Sequence, residues 1–240
     1  MKNKKKMLII IPAYNEEENI LKTYSSIIDY NKKNKTEYDV LVINDGSKDN
    51  TEKILIENNI PHIRLIHNLG IGGAVQTGYI YALEHDYDIA VQFDGDGQHD
   101  VRYIKDITNP IVNNECDMCI GSRFISKTKE GFQSSRARRL GINIISFNIK
   151  LKTKNKIYDT TSGFRAINKD VIKLFVDYYP TEYPEPISTV SVIKHGYRVL
   201  EKPVIMHERE GGTSSIGSWK NAYYMVNVIL SILLSRKGVK

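Results

Sequence analysis

Four short aliphatic runs, each followed by small or polar residues and then by a segment of helical spacing, constrain this chain most. They are Met7 to Ile11, Val40 to Ile43, Ile63 to Ile66 and Ile89 to Val91. Continuous runs of Ile, Leu and Val suit strands covered on both faces. Ile20, Leu21, Tyr24, Ile27 and Ile28 recur at helical spacing, Asp49 to Glu57 reads as a short helix, and Ala74 to about Glu84 as a longer one. A further strand is expected at Met118 to Ile120. Strands and helices alternating in this way predict an α/β chain with a Rossmann-like, mainly parallel sheet flanked by helices.

Ligands of such sheets bind beyond the carboxyl ends of the strands. Those ends carry Pro12-Ala13-Tyr14-Asn15-Glu16, Asn44-Asp45-Gly46-Ser47, the loop His67 to Gly73, and Asp94-Gly95-Asp96. In extended chain residues i and i+2 point the same way. Asp94 and Asp96 can therefore offer oxygens to one hard cation, with Gln98 as a third, in a metal site for a pyrophosphate. The same Asp-Gly pairs are common turn formers. Asp45 or Asn44 suits the ring N–H groups of a base, Glu16 a hydroxyl, and Gly70 and Gly72 allow backbone N–H groups to approach phosphate. Neither a G-x-G-x-x-G nor a G-x-x-x-x-G-K-[ST] loop is present.

Composition narrows the class without naming a ligand. With 41% hydrophobic and 26% charged residues the chain reads as globular, and a net charge of +6 permits anionic partners. No nucleic-acid partner is expected. Met1 to Lys6 followed by Met7 to Ile11 imitates a signal peptide, but Pro12 and the acidic Glu16 to Glu18 end the apolar run, so a cytoplasmic location is expected. Cys116 and Cys119 have C-x-x-C spacing with no second pair to complete a zinc site; neither metal binding nor a structural disulfide is expected of them.

P-A-Y-N-E-E at 12 to 17, N-D-G-S at 44 to 47, N-L-G-I-G-G-A at 68 to 74 and D-G-D-G-Q-H at 94 to 99 resemble family 2 glycosyltransferases of the GT-A fold. G-S-R-F at 121 to 124 and T-S-G-F-R-A at 161 to 166 are similar to the dolichyl-phosphate mannose synthase, or polyprenyl-phosphate glycosyltransferase, branch. The likeness spans residues 7 to 217. It implies inverting transfer from a nucleoside diphosphate sugar, with a UDP-sugar expected, using Mg²⁺ or Mn²⁺. It also implies a lipid phosphate acceptor held by arginines, in cell-envelope glycan synthesis. Pro12, Ala13, Tyr14, Glu16, Asn44, Asp45, Gly70, Gly72 and Asp94 would then bind the nucleotide, with Asp94, Asp96 and Gln98 at the metal. One departure stands out: the family commonly has Asp-Asp-Gly-Ser, and the first position here is Asn44.

Arginine forks suit phosphate oxygens. Arg123, Arg136, Arg165 and Arg209, with Ser214, are the candidates for the acceptor phosphate, and Arg123 joins Asp96 in the catalytic set. A phosphate nucleophile is already ionised and needs no base. A hydroxyl acceptor, the alternative, needs one: Glu185, with Asp159 behind it, although Asp159 reads more readily as a helix cap. A nucleotide-sugar-binding protein without catalysis is a further alternative. The Gly- and Ser-rich stretch 208 to 217 reads as a loop able to close over substrate, with His207 beside it. Residues 1 to 218 are expected to form the catalytic domain and 219 to 240 an apolar C-terminal helix. Its run from Ala222 to Leu234 is too short to span a bilayer. That helix is expected to bury itself on the domain, meet a small membrane protein, or lie peripherally at the inner face of the cell membrane.

Overall fold

The computed structural model describes residues 5–125, 136–207 and 218–235, with backbone only at 136–138 and 218–224. Its seven-stranded sheet has the order β3-β2-β1-β4-β6-β5-β7. The strands are β1 (Met7–Ala13), β2 (Tyr38–Asn44), β3 (His62–Arg64), β4 (Ile89–Gln92), β5 (Met118–Ser122), β6 (Arg165–Asn168) and β7 (Val199–Pro203). The helices are α1 (Ile20–Asn34), α2 (Thr51–Glu57), α3 (Gly70–Glu84), α4 (Ile104–Val112), α5 (Arg136–Thr153), α6 (Lys169–Asp177), α7 (Pro184–Lys194) and α8 (Ser218–Leu234).

The continuous apolar character of β1 and β2 follows from burial on both faces. Leu8 and Ile10 of β1, with Leu41 and Ile43 of β2, point to one side, where Val75 and Tyr79 of α3, Ile145 of α5, Phe175 of α6 and Val228 of α8 complete a core. Ile9, Ile11, Val40 and Val42 alternate to the other side, against Ile20 and Ile27 of α1, Leu55 of α2 and Ile107 of α4. Each such aliphatic side chain contributes about 1.5–3 kcal/mol on leaving water.

β1 pairs in parallel with β2 and β4, and β2 with β3. β6 runs against both neighbours, placing Arg165 opposite Gln92 of β4 and Ile120 of β5. Its first residue, not its last, therefore lies at the edge where β4 and β5 end. The structure adds β6 and β7 to the expected strands and shortens the third: Ile66 is outside β3 and 89% exposed. Gly70 to Gly73, expected in a loop, form the first turn of α3.

α8 docks on the domain. Val228 and Ile232 are buried in the core, while Lys152 Nζ donates to the Leu233 carbonyl (2.5 Å) and Lys194 Nζ to Ser235 Oγ (2.7 Å). These lysines satisfy and charge-complement the helix C-terminus. One apolar side remains uncovered: Val226, Leu230, Leu233 and Leu234 are 41–76% exposed. α5, packed beside α8, presents Leu140, Ile144, Phe147 and Leu151 at helical spacing, all 40–67% exposed.

Candidate active site

The loops at the ends of β1 and β2 are laced together by their own polar side chains. Asn15 N–H donates to Ser47 Oγ (3.0 Å), Glu16 N–H to Thr51 Oγ1 (2.9 Å), and Asp45 N–H to the Ala13 carbonyl (2.8 Å). Pro12 and Ala13 are buried in this lacing, Tyr14 is exposed at its rim, and Glu16 is buried, accepting from Asn19 Nδ2 (3.2 Å). Asp45 Oδ1 accepts the Leu69 amide (2.7 Å), tying the start of α3 to β2. Burial raises the pKa of this carboxyl, against the opposing pull of the Leu69 and Gly70 amides.

Asn44 is drawn elsewhere. Its Nδ2 donates to Glu52 of α2 and its Oδ1 accepts the Ser47 amide (3.1 Å), so the side chain is spent on holding β2 to α2, not presented to a base. Gly72 also has a packing reason: a Cβ there would lie 2.2 Å from the Pro180 carbonyl. Gly70 adopts a left-handed backbone (φ +76) as α3 begins.

The turn after β4 brings Asp94, Asp96 and Gln98 to the same edge. Asp94 Oδ1 accepts from Gln92 Nε2 (3.1 Å), and Asp96 Oδ1 accepts the Gln98 amide (3.1 Å). Gly163 of the 161–166 motif lies directly against this carboxylate: a Cβ at 163 would sit 2.6 Å from Asp94 Oδ2. The two motifs therefore meet because residue 163 has no side chain. No three His, Cys, Asp or Glu side chains among the described residues form a metal-holding group. An acidic pair plus an amide oxygen fits a hard cation that completes its shell with water and diphosphate oxygens.

Arg123, following β5, is clamped. Its Nε and Nη2 donate to the two oxygens of Asp159 (both 2.8 Å), its backbone N–H donates to Asp159 Oδ2 (3.0 Å), and Nη2 also reaches Thr161 Oγ1 (3.1 Å). The Asp159 side chain is fully buried. Burial works against the Arg123 cation, yet the hydrogen bonds and charge of Asp159 raise its pKa above the ordinary arginine value. Asp159 is thus neither a base behind Glu185 nor a helix cap. Glu201 of β7 sets it in place by accepting the Tyr158 and Asp159 amides (2.8 Å each). Arg139 of α5 lies 3.6 Å from the ring centroid of Phe124, and Arg123 lies 5.1 Å from the same centroid. Arg139 Nη1 is buried with no hydrogen-bond partner among the described residues, and burial lowers the pKa of this guanidinium.

Arg165 is not at the surface. It is 1% exposed, donating from Nε to the Ser162 carbonyl (2.7 Å) and from Nη1 to the Glu185 carbonyl (2.9 Å), Ser188 Oγ (3.0 Å) and Thr189 Oγ1 (3.2 Å). It pins the first turn of α7 to the sheet through Nε and Nη1, while its Nη2 is buried with no hydrogen-bond partner among the described residues. Glu185 starts that turn behind Tyr183, whose backbone is left-handed (φ 51). Burial raises the Glu185 pKa, with the Arg165 charge opposing. His207 pairs with Asp100 (3.4 Å). Cys116 and Cys119 are buried free thiols. The side chain of Arg136, and Arg209, Ser214 and the rest of 208–217, lie outside the described residues.

Residues 8–175 match the model of the family described as Glycosyl transferase family 2. The chain is 33% identical over 219 residues to the UDP-N-acetylglucosamine–dolichyl-phosphate N-acetylglucosaminyltransferase of Methanococcus voltae, covering 83% of this chain and 85% of that one. It is 29% identical over 235 residues to the undecaprenyl-phosphate mannosyltransferase of Micrococcus luteus, covering 93% and 92%. Among solved structures, glucosyl-3-phosphoglycerate synthase from Mycobacterium tuberculosis, in complex with Mn²⁺, UDP-glucose and phosphoglyceric acid, superposes with a TM-score of 0.69. That match is 15% identical and covers 98% of this chain and 82% of the other, a likeness of fold.

Proposed function

From the premise that this chain belongs to glycosyl transferase family 2 and is a glycosyltransferase of GT-A fold, we propose that it transfers a sugar from a nucleoside diphosphate sugar to a polyprenyl phosphate. A UDP-sugar is the proposed donor, and cell-envelope glycan synthesis the proposed setting. The named activities of the Methanococcus and Micrococcus relatives support the acceptor. The observation that carries it is the buried, unpartnered Arg139 Nη1 beside the clamped Arg123. A buried guanidinium N–H without an acceptor costs about 1–3 kcal/mol or more. A phosphate oxygen removes that cost, and two arginines suit a phosphate better than a neutral hydroxyl.

A phosphate oxygen of the acceptor attacks the anomeric carbon, the bond from that carbon to the diphosphate breaks, and the electron pair leaves on the diphosphate. Attack opposite the leaving group inverts the anomeric centre, and no proton moves. The chain's part is to align two anions that repel each other and to exclude water. Asp94, Asp96 and Gln98 would hold Mg²⁺ or Mn²⁺, which neutralises charge on the departing diphosphate. Asp45, Glu16, Tyr14 and the start of α3 would hold the nucleoside. A mass-spectrometric screen of nucleotide sugars against polyprenyl phosphate and simple glycosides tests the reading. Product on the glycosides alone would reject it.

The raised pKa of Glu185 favours a second reading, because a carboxylate with raised pKa is a better base for a hydroxyl acceptor. Glu185→Gln separates the two in steady-state assays. Transfer to a phosphate acceptor is expected to stay within a few fold of wild type, whereas transfer to a hydroxyl would fall by about a hundredfold or more.

Residues 219–240 and α5 supply the proposed membrane contact. No helix among the described residues is long and apolar enough to cross a membrane. The uncovered apolar sides of α5 and α8, with Lys150 and Lys152 in the last turn of α5 and Lys154 and Lys156 just after it, fit the boundary of an anionic bilayer. Deleting α8 would also uncover the core around Val228. Phe147→Glu combined with Leu230→Glu is the cleaner test, expected to weaken co-sedimentation with anionic liposomes by about tenfold or more. Equal binding would reject this face.

A further inference from the structure

The turn that carries Asp94 and Asp96 is gripped by a ring to which the transfer chemistry gives no part. The His99 side chain is 3% exposed, stacked on Phe164 (centroids 4.8 Å, interplanar 19°) and meeting Phe93 edge-on (5.3 Å, 87°). Its Nδ1 accepts the Asp94 amide (3.1 Å). That bond leaves the ring proton on Nε2, which lies 3.5 Å from Asp94 Oδ2. One imidazole therefore bonds the backbone amide and, at a longer distance, faces the carboxylate of the same residue. The ring is itself fixed from outside: His99 bridges to Met206, His207 N–H donates to the Gln98 carbonyl (2.9 Å), and Gln98 Nε2 donates to the His207 carbonyl (3.3 Å). Phe164, the platform under the ring, adjoins Gly163, against which the Asp94 carboxylate lies.

We infer that His99 is a positioning residue that fixes the Asp94 carboxylate, through Nε2–H and from the protein side, in the orientation that receives the cation and the donor diphosphate. The inference rests on the reading of Asp94 and Asp96 as the metal–diphosphate pair. A carboxylate free to rotate must be ordered when the cation binds, and a hydrogen-bond partner behind a ligand removes that cost, with such partners typically worth 10–100-fold in metal affinity.

The test is calorimetric titration of UDP, and in parallel GDP, into the full-length protein with and without MnCl₂. His99→Phe keeps an aromatic ring between Phe93 and Phe164 but loses the Nδ1 hydrogen bond and the Nε2 contact with the carboxylate. His99→Gln keeps a donor near Nε2, and His99→Asn keeps an acceptor near Nδ1. Alanine is avoided because a cavity of about 100 Å³ already lies between α1 and the ring. His99→Phe is expected to weaken Mn²⁺-dependent nucleotide binding by about tenfold or more, with metal-free binding retained. Gln should recover most of the loss and Asn little. Binding by His99→Phe within about twofold of wild type overturns the inference, as does a loss in the Gln variant equal to that in Phe. A wild-type protein whose nucleotide binding ignores Mn²⁺ overturns the metal reading itself, which separates the two failures.

Discussion

Asp96→Ala is expected to lower turnover by about a hundredfold or more, the typical loss when one preorganised electrostatic contact to a developing charge is removed. The departing diphosphate gathers negative charge as the bond to the sugar breaks, so an oxygen ligand at this turn acts in the transition state more than in the ground state. The cost to folding should be small. Asp96 is partly exposed, and its Oδ1 accepts the Gln98 amide (3.1 Å). Initial rates across a Mg²⁺ or Mn²⁺ titration, with the melting temperature as control, check this. An unchanged rate in chelator-treated, metal-defined buffer would remove the metal from the reaction.

The second large effect is on stability. Asp159→Ala leaves the Arg123 guanidinium, whose side chain is 10% exposed, without its bidentate partner. Removing one member of a buried pair costs about 3–5 kcal/mol, and for a chain of this size that lowers the melting temperature by roughly 6–20 °C. Removing Arg123 as well, in Asp159→Ala with Arg123→Met, should return most of that stability, because no buried charge is then stranded. Transfer to polyprenyl phosphate should stay low in the double variant, with the loss in KM for the acceptor. Thermal melts and acceptor titrations read the two effects apart. Recovery of transfer in the double variant would show that Arg123 does not touch the acceptor.

The parallel half of the sheet was legible because both of its faces are covered: Leu8 to Ile11, Val40 to Ile43 and Ile89 to Val91 are apolar without interruption. The acidic turn was legible because Asp94 and Asp96 alternate with Gly95 and Gly97, and Asp-Gly pairs are turn formers. β6 and β7 were not, for different reasons. β6 spans four residues, too short for a period to show, and edge strand β7 mixes Val199 and Leu200 with Glu201 and Lys202. Asp159 was misread because its partner stands 36 residues away, a distance that local pattern does not reach. Arg165 looked like a surface ligand because nothing in its neighbourhood announces that Ser188 and Thr189 of α7 will close over it. His99 sat inside a recognised motif without a role, since its ring bonds the amide and faces the carboxylate of a residue five positions earlier.

The reversed direction of β6 also bears on biosynthesis. β6 fills the gap between β4 and β5, yet it is made last of the three. Until residues 165–168 leave the ribosome, the nascent chain carries Ile89, Ala90 and Val91 on a strand whose outer edge has no pairing partner. Such an edge is a template for joining another chain. The strand that covers this edge is the one that follows Gly163, the residue that lies against Asp94.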